Sequence, residues 1–284
     1  MDGIVFSDVP REVVAEVGRA AADFSVGFAT IRKGDHGDNV VLGGSGTLIR
    51  IDDMYGVLTA DHVLKCLPAD QHIGVIIPTG SEPLVHRFTL AKDAFHRLRV
   101  GHPGDGHYTR KGPDISLLLI STLDAWSLGA RKSFYDLSAR YDEILRNLPG
   151  RTDGLWVVCG FVDEFTTDHG PDRGFSAIKG FHGGAAAVWV KSEHVSGDFD
   201  YCEFEVGYDG PDRVPRRFGG LSGGGLWHAR LCRGEDGRVT PQRPVLGGVV
   251  FYESIQGDGR TIITCHSWRS IYARVVGSAR AKAS

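Results

Sequence analysis

The chain has 284 residues, of which 42% are hydrophobic and 24% are charged, so wholesale disorder is excluded and a substantial core can form. Lys and Arg total 32 against 35 for Asp and Glu, which gives a formal net charge of −3. Such a balance of charges gives no net positive potential that would attract a phosphate backbone or an anionic bilayer. Neither nucleic acid nor a membrane is therefore expected as a partner.

The cysteines and the N-terminal residues indicate the compartment. The five cysteines are an odd number, widely spaced and without a C-x-x-C pair, which is typical of reduced thiols. The first residues show no cationic stretch followed by an apolar run, and no segment approaches the roughly 20 apolar residues of a transmembrane helix. We therefore expect a cytoplasmic protein.

The first half of the chain predicts one helix followed by short strands. Apolar residues recur on one face of 10–24, which indicates a helix. The polar, Gly- and His-rich stretch 86–113 predicts irregular loops, and the apolar run 115–120 predicts a buried strand. The other predicted strands in this half are 25–31, 46–51, 55–59 and 72–78.

The second half of the chain also combines predicted helices with short strands. A helix is predicted over 134–148, a connection over 147–154, and a terminal helix with Ser267 as its N-cap. The predicted strands are 155–161, 185–190, 201–206, 244–252 and 260–265. The regular alternation that a parallel α/β sheet needs is absent, so the sequence favours an all-β fold of two antiparallel β-barrels with peripheral N- and C-terminal helices.

Three segments carry residue types that hydrolytic chemistry uses. A hairpin in 43–64 ends at His62, Asp114 stands directly before the apolar strand, and Ser222 lies in the Gly-rich turn 218–227. Alone, each is most often a surface or turn residue. Together they form a set, because a serine becomes a nucleophile only when a base takes its proton and a carboxylate orients that base.

The glycines around the serine support the same interpretation. They permit a sharp turn and let a substrate backbone come close. The backbone N–H groups of Gly220 and Ser222 are candidates for an oxyanion hole.

The segments GSGTLI, GVLTADHVL, PDISLLLI and GGLSGGGLW, in this order, resemble the histidine, aspartate and nucleophile segments of trypsin-like (chymotrypsin-fold) serine peptidases. PVLGGVVFYES is similar to the strand that follows the nucleophile in that family. The resemblance implies barrels that meet at a catalytic cleft. It divides the chain into a helical extension (1–24), a first barrel (25–122), a helical connection (123–154), and a second barrel with the C-terminal helix (155–284).

Carried over to this chain, the resemblance makes His62 the general base, Asp114 its orienting carboxylate and Ser222 the nucleophile. It implies a cytoplasmic endopeptidase of bacterial type, with protein or peptide substrates and no metal or organic cofactor. A regulatory partner protein is a further possibility. The strand residues that would line the substrate groove and pair with an extended peptide are Phe251, Tyr252 and Glu253.

The sequence departs from the secreted members of this family at two places. Leu221 occupies the position where many of them carry an Asp that binds a new N-terminus, so activation by that charge pair is not expected. Cys66 has no evident disulfide partner. Before the nucleophile, Arg216 or Arg217 at the base of a pocket could favour an acidic substrate residue, although solvated arginines are the plainer interpretation.

Other interpretations remain open at this stage. Gly220–Gly224 also fits the nucleophile elbow of α/β-hydrolases, with Asp258 and His266 following, but neither the preceding strand nor the following helix of that fold is present. A silent peptidase fold that only binds peptides or a partner protein is the main alternative. Two weaker candidates are a metal-binding loop and a basic patch, formed respectively by His96, His102 and His107 and by Arg213, Arg216 and Arg217.

Overall fold

The structure, a computed structural model, describes residues 9–34, 37–67, 72–77, 86–91, 93–104, 106–150, 154–169, 178–180, 183–206 and 214–283. Within these residues, most strands belong to two large sheets, and the helices lie at their periphery. Arg213 lies outside the described residues.

The first sheet is a half-barrel of eight strands in the order β5-β4-β1-β2-β3-β7-β6, with the short β8 paired in parallel to β2. The strands are β1 (Ser25–Gly34), β2 (Gly37–Ile51), β3 (Met54–Thr59), β4 (Ile73–Ile77), β5 (His86–Leu90), β6 (Phe95–Gly101), β7 (Ile115–Ile120) and β8 (Tyr135–Asp136). Alternate residues such as Phe28, Leu48 and Val57 are fully buried in its core, as expected for strands with one face turned inward.

The second sheet is a closed barrel in the order β12-β13-β18-β17-β14-β9. Its strands are β9 (Leu155–Phe161), β12 (Gly183–Ser196), β13 (Phe199–Val206), β14 (Gly225–Ala229), β17 (Val245–Ile255) and β18 (Thr261–His266). Two short hairpins extend from it, β10 (Thr167–His169) with β11 (Ile178–Gly180) and β15 (Leu231–Arg233) with β16 (Val239–Pro241). The expected all-β fold of the two-barrel type is confirmed.

The helices lie around the sheets and are short. They are α1 (Arg11–Ala22), α2 (Asp61–Cys66), α3 (Thr122–Gly129), α4 (Leu137–Arg146) and a π-helical turn (Ser270–Val275) that continues into α5 (Val276–Ala283). Val13 and Val17 of α1 pack on Leu155 and Val157 of β9. Within the described residues, no helix combines the length and the apolarity that crossing a membrane requires.

The prediction of irregular loops over 86–113 is wrong in part, because β5 and β6 lie within that stretch. The strand β6 pairs with β7 along its length, yet its sequence lacks a clear hydrophobic alternation. One reason is Arg99, whose side chain is 46% exposed and whose guanidinium is bound by the buried carboxylate of Asp61, so this position of the strand carries a charged residue. The helix α3 was not predicted, although the hydroxyl of Ser121 caps it by accepting from the Asp124 N–H.

Candidate functional site

His62 and Asp114 are in direct contact at two points. The Oδ1 atom of Asp114 accepts from the backbone N–H of His62 at 2.9 Å, and Oδ2 lies 2.6 Å from the imidazole Nδ1. Asp114 is buried, whereas the imidazole of His62, in the first turn of α2, is 29% exposed. The carboxylate thus fixes both the backbone and the ring of His62.

This contact has a chemical consequence. A carboxylate can only accept, so Nδ1 carries the proton and Nε2 keeps its lone pair. The ring is partly exposed, and its Nδ1 is held by a buried carboxylate. That is the tautomer that a general base needs.

A second buried carboxylate supports the first turn of α2. The side chain of Asp61 accepts hydrogen bonds from Arg99, from the Tyr108 hydroxyl at 2.6 Å and from the Ser116 hydroxyl at 2.5 Å. Burial alone raises the pKa of Asp61, but these three donors outweigh it and hold that pKa below its usual value. The Tyr108 ring also contacts the imidazole of His62, with centroids 5.6 Å apart. His62 is therefore supported through its neighbour Asp61 and by the ring of Tyr108.

The turn that carries Ser222 is fixed to both sheets. The carbonyl oxygen of Ser222 accepts from the N–H of Ser45 in β2 at 2.8 Å, and the Gly223 N–H donates to Val250 in β17 at 2.7 Å. The Ser45 hydroxyl donates to the carbonyl of Gly220 at 2.7 Å and accepts from the Phe161 N–H at 2.8 Å. Ser45 of the half-barrel thereby positions the serine turn of the closed barrel.

Gly44 brings the serine turn close to α2. A Cβ atom built there would lie 2.7 Å from a methyl carbon of Val63 and 3.2 Å from the carbonyl oxygen of Ser222. Because glycine leaves this space open, the residue after His62 and the backbone of Ser222 both come close to β2 at Gly44. The histidine and the serine predicted from the sequence thus lie at the same junction.

The predicted oxyanion amides are free to bind a ligand. Among the residues that the structure describes, the backbone N–H groups of Gly220 and Ser222 have no acceptor. Unpaired amides at a partly exposed turn can bind a developing negative charge. The carboxylate of Asp163 is close, since a Cβ atom on Gly220 would lie 3.2 Å from its Oδ1, and desolvation raises the pKa of Asp163.

The three residues predicted to line a groove have different environments. Tyr252 is exposed and Glu253 is half-buried. Phe251, however, is buried against Tyr201 and His266, so its side chain cannot contact a substrate. Beyond Val250, the described part of β17 pairs only with β18, which leaves the opposite strand edge open for an extended peptide.

The segment before the serine turn is held by glutamates. Both Arg216 and Arg217 are exposed, and their backbone N–H groups donate to Glu164 Oε2 at 2.9 and 3.1 Å. The Phe218 N–H donates to Glu253 Oε2 at 2.5 Å. The structure thus brings two acidic side chains to this segment.

Leu221 is buried and lines a pocket of about 70 Å³, which is also lined by Val158, Val162 and Phe218. The lining residues are all uncharged.

The α/β-hydrolase interpretation is wrong. The turn of Ser222 leads into the strand β14, not a helix. Asp258 is exposed and bound to Arg260, and His266 is fully buried with its Nε2 accepting from the Asp114 N–H at 2.9 Å.

The metal-binding interpretation finds little geometric basis. In the described part of the chain, no three His, Cys, Asp or Glu side chains are grouped as metal ligands. His96 is an exposed residue of β6, and His102 Nδ1 accepts from the backbone N–H of Gly104.

Sequence reasoning missed Ser45, Asp61 and His266 as parts of the site. Ser45 and Asp61 lie inside the motif that ends at His62, so their presence there was the available signal. His266 was noticed only for the wrong fold, because its contact with Asp114 spans 152 positions of the chain.

No protein-family model matches the sequence, and no curated protein sequence matches it. Solved structures are similar in shape. The HtrA-type protease AlgW with a decapeptide has a TM-score of 0.47 at 12% identity over 95% of this chain and 67% of that chain. A chain from a study of the Sesbania mosaic virus VPg protein has 0.42 at 11% over 89% and 90%, and tobacco vein mottling virus protease has 0.39 at 7% over 90% and 79%. At these scores the likeness describes overall shape only.

Proposed function

We propose that this protein is a serine endopeptidase in which Ser222 is the nucleophile, His62 the general base and Asp114 its orienting carboxylate. The observation that carries the proposal is the two-point contact between His62 and Asp114, at a junction that also holds the turn of Ser222. The resemblance of the sequence motifs, in the same order, supports it.

The proposed reaction has two halves. Ser222 Oγ attacks the carbonyl carbon of the scissile bond while His62 Nε2 takes its proton, and the oxyanion binds the amides of Gly220 and Ser222. The C–N bond then breaks as His62 returns the proton to the leaving amine. Water, deprotonated by His62, attacks the acyl group on Ser222 and releases the second product with the serine restored.

A fluorophosphonate probe tests this proposal, because it reacts only with an activated serine. We expect labelling of the wild type and loss of labelling in Ser222→Ala and His62→Ala. Ser196→Ala and His96→Ala, at exposed positions, serve as controls and should still be labelled. Labelling that survives in Ser222→Ala contradicts the assignment, and a folded wild type that takes no label points to the peptide-binding alternative.

We also propose that Glu253 selects against acidic substrate side chains. The family resemblance places the side chain before the cut bond between β17 and the segment before the nucleophile, and the Glu253 carboxylate joins these two walls through Phe218. Arg216 and Arg217 are exposed, whereas Glu253 is half-buried against this segment, so we take the negative charge as the one that acts on the substrate. This expectation is opposite to the acidic preference that the arginines alone would give.

Two peptide substrates that differ only by Gln or Glu before the cut bond measure this charge effect. We expect kcat/KM to be roughly tenfold higher for Gln in the wild type, since like charges a few ångströms apart repel. The Glu253→Gln variant should lose the difference, and Glu235→Gln, an exposed position, should keep it. Faster cleavage of the Glu peptide by the wild type contradicts the proposal.

We propose a cytoplasmic location as well. All five cysteines are free thiols, three of them buried, which suits a reducing compartment. The domain division and a regulatory partner protein remain predictions.

A further inference from the structure

We infer that His266 is a positioning residue for the proposed catalytic pair: its imidazole fixes the backbone of Asp114, and through Asp114 it fixes the ring of His62. This inference rests on the proposed function for its effect on turnover, while the contact itself is independent of any activity. It goes beyond the three residues that the motifs supply, because His266 touches neither His62 nor a substrate position.

The first step is the contact between the sheets. Asp114 precedes β7 of the half-barrel, and His266 ends β18 of the closed barrel. The Asp114 backbone N–H donates to His266 Nε2 at 2.9 Å. Both Asp114 carboxylate oxygens are engaged by His62, so the side chain of Asp114 binds the base while its backbone is held from the opposite sheet.

The second step concerns the tautomer of His266. An amide N–H can only donate, so Nε2 must be unprotonated and Nδ1 must carry the proton. Nδ1 lies 3.3 Å from the Ser270 hydroxyl, and that hydroxyl donates in turn to Asp200 Oδ1 at 2.7 Å. The Asp200 carboxylate also accepts from the backbone N–H groups of Arg269 and Ser270, so it caps the terminal helix in place of the predicted Ser267.

The third step concerns the charge of the ring. His266 is fully buried among the rings of Phe199, Tyr201 and Phe251, whose centroids lie 5.6, 4.9 and 4.7 Å from its own. Burial lowers the pKa of His266 to about 3. The ring is therefore neutral at ordinary pH, and Nε2 keeps the lone pair that the Asp114 amide needs.

Through these contacts His266 limits the orientation of the Asp114 backbone. With its amide held, the Asp114 backbone keeps one orientation, and its carboxylate, which also accepts from the His62 N–H, stays directed at Nδ1 of His62. Without that acceptor, a buried N–H is left unpaired and the backbone before β7 shifts to satisfy it. A displacement of the base by about 1 Å is enough to lower turnover by roughly 100-fold.

Two substitutions separate this role from simple packing. In His266→Gln the amide oxygen takes the place of Nε2 and can accept from Asp114. In His266→Asn the amide group reaches only the place of Nδ1, near Ser270, so the Asp114 amide loses its acceptor. Both side chains are neutral amides, and His96→Asn at an exposed position of β6 is the control.

The readout is the NMR signal of the proton on His62 Nδ1, identified by its loss in His62→Ala. We expect the signal to persist in the wild type, His266→Gln and His96→Asn, and to be lost in His266→Asn. With a peptide substrate, His266→Asn should lower kcat by roughly 100-fold at unchanged KM, and His266→Gln should stay close to the wild type. Equal signals and equal kcat in the Gln and Asn variants would overturn the inference.

Three further outcomes are also informative. If neither variant folds, a ¹⁵N–¹⁵N coupling across the hydrogen bond from the Asp114 amide to His266 Nε2 is the test, and its absence would overturn the inference. If the protein cleaves no peptide, the comparison of NMR signals still decides the positioning role. If peptides are cleaved but the NMR signal of the His62 Nδ1 proton is the same in His266→Asn as in the wild type, the proposed function stands and this inference fails.

Discussion

Replacing Asp114 by asparagine is expected to lower kcat for peptide hydrolysis by about 10,000-fold with the fold intact. The amide oxygen of asparagine can still accept from the backbone N–H of His62, as Oδ1 does at 2.9 Å. The NH₂ group then faces Nδ1, where a carboxylate oxygen lay at 2.6 Å. A donor at that place forces the proton onto Nε2, so the imidazole can no longer take a proton from Ser222.

The measurement is kcat on a peptide substrate, together with the melting temperature. Asp53→Asn is the matched control, because Asp53 is exposed in the turn between β2 and β3 and the same change there should alter neither quantity. A variant at Asp114 that keeps its melting temperature and retains most of the wild-type kcat would show that the carboxylate does not set the tautomer of His62.

Replacing Gly223 by alanine is expected to cost about 4 kcal/mol or more of unfolding free energy. The Cβ atom would lie 2.0 Å from the Ser45 carbonyl oxygen and 2.0 Å from the Thr59 hydroxyl. Ser45 and Thr59 are fully buried and are joined to each other by a hydrogen bond of 2.7 Å, so neither can withdraw cheaply. The φ of +89° at Gly223 adds strain of about 1–3 kcal/mol for a residue with a side chain.

Denaturant unfolding of the two proteins measures this difference. The control is Gly129→Ala at the end of α3, where a Cβ atom meets nothing within 4 Å and the change should stay within about 0.5 kcal/mol. A loss below 1 kcal/mol at Gly223 would mean that the serine turn and β2 separate easily, contrary to the packing described here.

The sequence predicts those parts of the fold whose signal is local. The run 115–120 became β7 and the periodic stretch from residue 10 became α1, because a hydrophobic pattern directly reports which side is buried. The strand β6 escaped prediction because its side chains do not alternate between buried and exposed, and its exposed residue Arg99 is bound by Asp61, 38 positions earlier. Local patterns cannot show that a charge is satisfied by a residue so distant.

The same limit applies to the site. The motifs singled out His62 and Asp114, and the structure brings these two into contact; the roles of Ser222 and of the two amides remain predictions. Ser45 and His266 could not be found in this way, because their importance lies in contacts between the two sheets. Such contacts depend on how the sheets pack, and no spacing within one motif encodes that.

The placement of His266 at the end of β18 has a consequence for synthesis. His62 and Asp114 leave the ribosome early, Ser222 later, and His266 last of the residues that meet at the junction. Until β18 has joined its barrel, the Asp114 amide has no acceptor. Under the proposed function, a nascent chain from which His62, Asp114 and Ser222 have already emerged would thus still lack the contact that orients Asp114.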